Sequence, residues 1–271
     1  RHIFFFIILV SLLIIIIINI IVYNNKINNK INKKHIALIE ITGTIAEKEK
    51  TNAKNIIKSL NKAFTNKNTK AIILKINSPG GTPVQANLIN NHIKRLRNTT
   101  NKKIFSIIED IGTSGAYLIA IATEKIYCDP SSIVGSVGVI VNYFGFVDTI
   151  NKLGIERRLY KTGKYKAIMD PFIKKNEEED KIINNSLNYI HEDFVNNIIK
   201  SRNNKLIVNN INEISTGKFW VGKEAIKFGL IDGFYDIYSL SFEILKTNII
   251  VNYTKEKTLI EIISKKINKI F

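Results

Sequence analysis

Residues 71–81 read Ala-Ile-Ile-Leu-Lys-Ile-Asn-Ser-Pro-Gly-Gly. Residues 71–77 form a nearly continuous apolar run, which is typical of a strand buried on both faces of a parallel sheet. The Ser-Pro-Gly-Gly turn closes this strand, and a helical pattern follows it to about Leu96. A buried strand, a tight turn and a helix in this order favour an α/β fold.

The same alternation of strands and helices extends on both sides of this stretch, so the predicted sheet is mostly parallel. A short helix is predicted to begin near Ser114, and Glu156–Tyr160 is predicted to be extended. The other predicted elements are strands at His35–Ile41, Lys103–Ile108, Lys125–Cys128 and Ile133–Val141, and helices at Asn52–Ala63, Val147–Leu153 and Asn176–Lys200.

Four segments are predicted along the chain. The run from Ile3 to Tyr23 is almost wholly apolar and about as long as a helix that crosses a bilayer. No small-residue cleavage site follows it, so an uncleaved anchor is favoured over a secretory signal. The predicted segments are a transmembrane anchor at 1–23, an Asn- and Lys-rich linker at 24–34, a globular domain at 35–247 and an amphipathic basic tail at 248–271.

The net charge of +17 is compatible with nucleic-acid binding. However, the lysines are spread along the sequence and no nucleic-acid-binding motif accompanies them, so we expect no nucleic-acid partner. A solvated basic surface near anionic lipid is the interpretation that we prefer.

The lone cysteine, Cys128, follows a strand-like pattern and is predicted to be a packed structural thiol. The sequence has no Walker A loop, dinucleotide-binding fingerprint or metal-ligand cluster, so we expect no cofactor and no metal.

The four histidines do not favour a Ser-His-Asp hydrolase. His2 lies in the predicted anchor and His35 at the edge of the domain, while His92 and His191 lie within predicted helices. A catalytic histidine would have to lie on a loop that faces the nucleophile. A hydrolase that depends on a histidine base is therefore disfavoured.

Three short motifs carry candidate chemistry, although each is ambiguous alone. Gly80 and Gly81 allow a close approach of substrate and a free N–H, but the same turn is also a common connection. Ser114 follows a buried strand and opens a helix, where it either acts as a nucleophile or only caps the helix. Lys166 acts as a general base only when neutral, which requires a lowered pKa, and by itself it is indistinguishable from a surface lysine.

In their order and spacing, these motifs resemble those of the signal peptide peptidase A family of serine peptidases, which has the Clp protease/crotonase-like spiral fold. The resemblance extends from about His35 to Asp236. The matching motifs are Ser78–Gly81, Thr113–Tyr117, Gly135–Val139, Lys166 ahead of Pro171-Phe172, and Thr216–Asp232.

The resemblance implies a catalytic pair. It implies that Ser114 is the nucleophile, that Lys166 is its general base and that Ser136 helps to hold the lysine. Lys164 is the competing base, and Lys166 is preferred because of its position relative to Pro171-Phe172.

The resemblance also implies an oxyanion hole formed by the N–H groups of Gly81 and Gly115, with Gly80 in a supporting position. Two residues depart from the family pattern, since Thr113 stands where alanine is usual and Ala116 replaces a glycine. Both changes are small and leave Ser114 and the Gly115 N–H in place, so activity is still expected.

The implied function is a membrane-anchored serine endopeptidase that cleaves signal peptides or other apolar, membrane-released peptides through an acyl-enzyme, without a cofactor. The family implies ring-like homo-oligomers. It also implies an inner-membrane protein, held in the bilayer by residues 3–23, with its catalytic domain on the periplasmic side. The lysines after the anchor favour the cytoplasmic side by the positive-inside rule, and we follow the family.

Two alternatives stay open at this point. One is a membrane peptidase of the same fold that cuts one specific protein partner. The other is a catalytically inactive membrane scaffold, against which the intact Ser114, Lys166 and glycine pair argue. A crotonase-type acyl-CoA enzyme is disfavoured, because it would need neither Lys166 nor an anchor.

Overall fold

The computed structural model describes residues 10–11, 14–15, 18–19, 30–206 and 211–254. The predicted anchor at 1–23 and residues 255–271 of the predicted tail therefore lie largely or wholly outside the described residues. Within the described part of the chain, none of the helices has both the length and the apolar character needed to span a bilayer.

The described strands join into one mixed sheet. Its main path has the order β6-β5-β3-β2-β1-β8, with β4 paired to β3 and β7 paired to β4. The strands are β1 (His35–Thr42), β2 (Thr69–Ser78), β3 (Lys103–Thr113), β4 (Lys125–Cys128), β5 (Ile133–Gly135), β6 (Phe219–Val221), β7 (Gly233–Phe234) and β8 (Ile250–Asn252).

The sheet is parallel at each of its pairings except β5 with β6, as the sequence predicts for most of its strands. The carboxyl ends of β1, β2 and β3 therefore meet at one edge, which we call the carboxyl edge. The opposite edge, where these strands begin, is called the amino edge. The Ser-Pro-Gly-Gly turn and Ser114 both lie at the carboxyl edge.

Two long helices begin with side-chain caps. Asn52 accepts a hydrogen bond from the Asn55 N–H, and Asn176 accepts one from the Glu179 N–H, which satisfies amides that a helix leaves free at its start. The helices are α1 (Ala53–Thr65), α2 (Pro83–Thr99), α3 (Gly115–Ala120), α4 (Val147–Lys152), α5 (Glu177–Arg202), α6 (Ile211–Ile214), α7 (Gly222–Ala225) and α8 (Ile237–Ser239).

The strand that opened the sequence analysis is buried on both faces, as predicted. Ile72, Leu74 and Ile76 face the main core, which the apolar sides of α1, α2, α3 and α5 cover. Ala71 and Ile73 face a smaller cluster on the other side, which includes Leu240 and Leu245. Because alternate residues of a strand point to opposite faces, one apolar run serves both layers.

Three predicted elements differ from the structure. The strand predicted over Ile133–Val141 ends at Gly135, because Gly135 and Ser136 adopt positive φ angles of 96° and 51° that turn the chain out of the sheet. Glu156–Tyr160 pairs with no strand among the described residues. Ile250–Asn252, beyond the domain boundary predicted at residue 247, forms β8 and pairs with β1.

Candidate active site

Ser114 stands at the junction of β3 and α3 with a backbone conformation that L-residues rarely adopt. Its φ is 53° and its ψ is −126°. Its N–H donates to the carbonyl of Gly135 (2.8 Å), and its own carbonyl accepts from the Leu118 N–H (3.0 Å). Although Ser114 occupies the N-cap position, its side chain makes no capping hydrogen bond. The hydroxyl is therefore not used as a helix cap, and the backbone of Ser114 has a strained conformation of the kind that clusters at functional sites.

The Ser-Pro-Gly-Gly turn packs directly against Ser114. A Cβ atom on Gly80 would lie 2.8 Å from the Cβ of Ser114 and 2.8 Å from the Gly115 nitrogen, and Gly80 has a φ of 101°. Only glycine is compatible with both constraints. The Ser78 hydroxyl holds the turn from behind, since it donates to the Gly43 carbonyl (2.6 Å) and accepts from the Gly80 N–H (3.1 Å).

The N–H groups of Gly81 and Gly115 lie at the same place. Gly81 forms a parallel bridge with Ile45, in which the Ile45 N–H donates to the Gly80 carbonyl (2.9 Å) and the Thr82 N–H donates to the Ile45 carbonyl (2.8 Å). The Gly81 N–H therefore points away from Ile45. Gly115 is the first residue of α3, so its N–H has no acceptor within the helix. The two glycine backbones are neighbours, because a Cβ on Gly115 would lie 3.4 Å from the Gly81 nitrogen.

Ser136 reaches the site through the turn that ends β5. Its N–H donates to the Lys218 carbonyl (2.9 Å), next to the antiparallel pairing of β5 with β6. Trp220 of β6 packs behind this turn, where a Cβ on Gly135 would lie 3.1 Å from the indole Cδ1. The motif at Thr216–Asp232 thus positions the motif at Gly135–Val139.

A cavity of about 300 Å³ brings four of the predicted residues together. Its lining includes Ser114, Gly115, Gly81 and Ser136. An open cleft with a hydroxyl and convergent N–H groups at one end is suited to binding a carbonyl compound.

Sequence reasoning missed the wall of this cavity. Its apolar side is formed by Leu118 from α3 and by Ile190 and Phe194 from α5. The helical period of the apolar residues in α5 indicates an inward face, but not that this face meets the nucleophile. Asn87 of α2 adds a half-buried carboxamide to the otherwise largely apolar wall.

The structure does not bring Lys166 into this cavity. Lys166 is exposed and lies in a turn, where its N–H donates to the Gly163 carbonyl (3.2 Å). The competing Lys164 forms an ion pair with Glu178 (2.6 Å). Hydrogen bonds from Lys164 to Glu178 and with Tyr165 raise the pKa of Lys164 above its ordinary value. A raised pKa is the opposite of what a general base requires.

The other titratable candidates lie elsewhere. His35, His92 and His191 bond to Tyr253, Asn61 and Ser215, respectively, and do not line the cavity among the described residues. Cys128 is fully buried in β4, and burial raises the pKa of its thiol to about 12. This agrees with the packed structural thiol predicted from the sequence.

Asp232, the last residue of the motif Thr216–Asp232, stabilises the domain and does not line the cavity. Its carboxylate pairs with Arg202 (2.7 Å) and Lys205 (2.6 Å) and accepts from the Ile126 N–H (2.8 Å). The Arg202 side chain is 3% exposed and that of Asp232 is 9% exposed. Burial alone would raise the pKa of Asp232, but the hydrogen bonds from Arg202 and Lys205 outweigh it and hold that pKa below its ordinary value.

The chain is similar to a known protein family and to several named proteins. The model of a family described as peptidase family S49 matches residues 97–240. The chain is 42% identical over 180 residues to a Brucella melitensis protein named Na(+)/H(+) antiporter NhaA, which covers 66% of this chain and 24% of that protein. It is 29% identical over 207 residues to an Enterococcus faecium protein that carries the name of a signal peptide peptidase, SppA, covering 73% and 59% of the two chains. It is 25% identical over 231 residues to Protease 4 of Haemophilus influenzae, covering 82% and 35%.

The matched regions make up less than two thirds of the length of each of these relatives. The antiporter name thus belongs to a protein of which only a quarter or less aligns with this chain. The family match, in contrast, spans more than half of this chain and includes Ser114, Ser136 and Lys166. The chain belongs to peptidase family S49.

Proposed function

We propose that this chain is a membrane-anchored serine endopeptidase with Ser114 as its nucleophile. The observation that carries the proposal is the junction of β3 and α3. There, Ser114 has a strained backbone, its hydroxyl does not cap the helix, and it borders a cavity beside the free N–H groups of Gly81 and Gly115. Removing one such N–H donor in a serine hydrolase costs about 10²–10³ in rate, so this placement has a large effect on the reaction.

In the proposed reaction, neutral Lys166 takes the proton of the Ser114 hydroxyl while the oxygen attacks the peptide carbonyl carbon. The Gly81 and Gly115 N–H groups stabilise the negative charge on the carbonyl oxygen. The C–N bond then breaks, and the lysine ammonium gives its proton to the departing amine. A water molecule next attacks the serine ester, again with Lys166 as base, which releases a carboxylic acid and restores Ser114. Ser136 holds the lysine side chain during both steps.

The site is proposed to be completed in a homo-oligomer. Lys166 lies on the 139–176 segment, which carries exposed apolar residues, with Ile140 84% exposed, Phe144 79% and Tyr160 94%. Exposed apolar groups in one segment are typical of an interface. Packing of this segment on a second copy would cover these residues and desolvate Lys166, and desolvation lowers a lysine pKa.

The substrates are proposed to be signal peptides or other apolar peptides released from a membrane, on the periplasmic side of a bacterial inner membrane. The apolar wall of Leu118, Ile190 and Phe194 beside Ser114 supports an apolar residue ahead of the cleaved bond.

The apolar run from Ile3 to Tyr23 supports the anchor. Resistance of the full chain to extraction from membranes by alkaline carbonate is the measurement that tests the anchor.

The matched pair Lys166→Ala and Lys164→Ala tests the general base. We expect Lys166→Ala to lower hydrolysis of an apolar fluorogenic peptide by about 10³-fold or more and Lys164→Ala to keep the rate within about twofold. Since the base must be neutral, the wild-type rate should rise toward alkaline pH. An acidic optimum, or a reversed pattern in the two variants, would contradict the assignment. Hydrolysis by none of the proteins would favour an inactive scaffold.

Gly80→Ala tests the close packing behind the nucleophile. The new Cβ would lie 2.8 Å from the Ser114 Cβ, so the serine or the turn must move. A displacement of about 1 Å costs on the order of 10²-fold in kcat. The control is Gly233→Ala in β7, away from the cavity, where φ is 156° and the new Cβ would make an ordinary contact of 3.6 Å with the Tyr127 ring. It should lose about 1 kcal/mol of stability through backbone strain and keep its kcat. Normal kcat in a folded Gly80→Ala protein would refute the packing argument.

A further inference from the structure

The amino edge of the sheet gathers positive charge. Residues 50–108, which include α1, β2, α2 and the first part of β3, contain lysine and arginine but no aspartate or glutamate. β4, β3, β2 and β1 are neighbours in this order, so their starting residues form a row. The lysines in or beside this row are Lys33, Lys34, Lys67, Lys102, Lys103 and Lys125.

These lysines are close enough to interact. Lys34 donates to the carbonyl of Lys67 (3.2 Å), and Lys102 donates to the carbonyls of Phe64 and Asn66, both at 2.6 Å. Burial, and next to it the charge of Lys34, lowers the pKa of Lys102. Carbonyl oxygens position these side chains without neutralising them. Among the described residues, none of the lysines in this row takes part in an ion pair.

Acidic residues cluster around one cavity at the carboxyl edge. This cavity, of about 710 Å³, is lined by Glu109, Asp110, Asp129 and Asp236 among other residues. The 139–176 segment, which leaves the sheet after β5 and is rich in lysine and arginine, lies on the same side, so this edge is of mixed charge.

The amino edge also contains acidic residues. Glu124 precedes β4, and the carboxylate of Asp232 accepts from the Ile126 N–H but is paired with Arg202 and Lys205. Lys62 and Arg97, in the last turns of α1 and α2, offset the partial negative charge of those helix ends. The amino edge is therefore the more positive of the two edges.

The apolar segment also joins the domain at the amino edge. Residues 24–34 connect the run from Ile3 to Tyr23 to the first residue of β1. This linker has 11 residues, so a bilayer that holds the anchor lies near the domain. Which surface of the domain faces the lipid is decided by another feature.

We propose that the amino edge lies on the headgroups of an anionic phospholipid bilayer, held there by its row of unpaired lysines. This inference rests on the anchor proposed above. A polybasic surface near anionic lipid gains favourable energy from each lysine within about a Debye length, whereas the acidic cluster at the carboxyl edge weakens the attraction of that side. The difference in charge between the two edges therefore selects one orientation.

The orientation has a consequence for the substrate. β3 has 11 residues and leads from the amino edge to Ser114. At about 3.3 Å per residue, the nucleophile stands about 35 Å from the headgroups. Peptides therefore reach Ser114 only after they have left the bilayer, and the cavity does not act on embedded segments.

Two variants of the full-length chain, each with one added exposed cysteine that carries a fluorescent label, test the orientation. Asn101→Cys marks the amino edge and Ser131→Cys the carboxyl edge, and both residues are exposed. Buried Cys128, with a pKa of about 12, does not compete for the label at neutral pH. The labelled proteins are reconstituted into phosphatidylcholine vesicles, with or without phosphatidylglycerol, that carry a quencher on the lipid headgroup. With phosphatidylglycerol, we expect the Asn101 probe to be quenched at least about twofold more than the Ser131 probe.

Matched charge variants identify the cause. Replacing Lys34, Lys67 and Lys103 by glutamine should abolish the difference between the probes, as should about 1 M salt, where the Debye length falls to about 3 Å. The control replaces Lys48, Lys50 and Lys223, which are exposed outside the amino edge, by glutamine and should leave the difference unchanged.

Three outcomes would overturn the proposal. The first is equal quenching of both probes, and the second is an equal effect of the two triple variants on that quenching. The third is that added RNA competes with phosphatidylglycerol for the amino edge and abolishes the difference between the probes. Release of the protein by alkaline carbonate would instead contradict the anchor. In that case flotation with phosphatidylglycerol vesicles, and its loss in the amino-edge variant, still decides whether the edge binds lipid.

Discussion

Ser114→Ala is expected to lower peptide hydrolysis by at least about 10³-fold, because it removes the hydroxyl that lies beside the N–H groups of Gly81 and Gly115, which stabilise the oxyanion formed by its attack. The measurement is the steady-state rate of the full chain in detergent on an apolar fluorogenic peptide. Ser186→Ala is the control, since this serine is exposed on α5 and its hydroxyl donates to the Ile182 carbonyl. A Ser114→Ala protein with normal turnover would remove the proposed nucleophile.

Mixing this variant with Lys166→Ala separates two ways of forming the catalytic pair. If Lys166 reaches the Ser114 of a neighbouring copy, co-expression of the two inactive variants restores up to about a quarter of the wild-type rate. In a random assembly half of the copies keep Ser114 and half keep Lys166, so about a quarter of the pairs are complete. We expect this recovery, since Lys166 is exposed and does not line the cavity of its own chain among the described residues. No recovery from a mixed oligomer would place the pair within one chain.

Asp232→Ala is expected to have the largest effect on stability. Removal of this carboxylate leaves the guanidinium of Arg202, 3% exposed, with the Gly229 carbonyl (2.8 Å) as its remaining hydrogen-bond acceptor. Breaking a buried ion pair by removal of one partner costs about 3–5 kcal/mol. Chemical denaturation of the full chain in detergent measures the loss, and fluorescence of Trp220, the single tryptophan, reports it.

The effect of pH follows from the lowered pKa of Asp232. A carboxyl group whose pKa is lower in the folded than in the unfolded chain contributes stability that is fully present above the unfolded pKa of about 3.9. This contribution is lost as the pH falls through the folded pKa. The gap between wild type and Asp232→Ala should therefore be constant near neutral pH and shrink only below about pH 4. Asp236→Ala, which removes an exposed helix cap, should cost only about 1 kcal/mol, and an equal loss in both variants would contradict the ion-pair argument.

The elements that sequence predicted well are those whose signal is local. The apolar run at 71–77 predicts a strand that is buried on both faces, and the structure confirms it. The strand predicted over Ile133–Val141 failed, because its apolar pattern continues after Gly135 while the backbone turns. β6 and β8 were missed because each is only three residues long and exists through its partner strand.

The site shows the same division. Ser114, Gly81, Gly115 and Ser136 are close in the structure because each follows a strand that ends at the carboxyl edge, an arrangement that the order of motifs indicates. The cavity wall on α5 depends on the packing of a helix that begins about sixty residues after Ser114, and no local sequence pattern predicts this packing. The role of Lys166 depends on what surrounds its ammonium group, and it stays a prediction.

The pairing of β8 with β1 bears on how such a domain can be distributed among proteins. His35 at the start of β1 stacks on Tyr253 just after β8, with ring centroids 5.7 Å apart, so the two ends of the fold are neighbours. A unit with adjacent ends can be joined to or inserted into an unrelated polypeptide without pulling on its core. This construction suits a portable module.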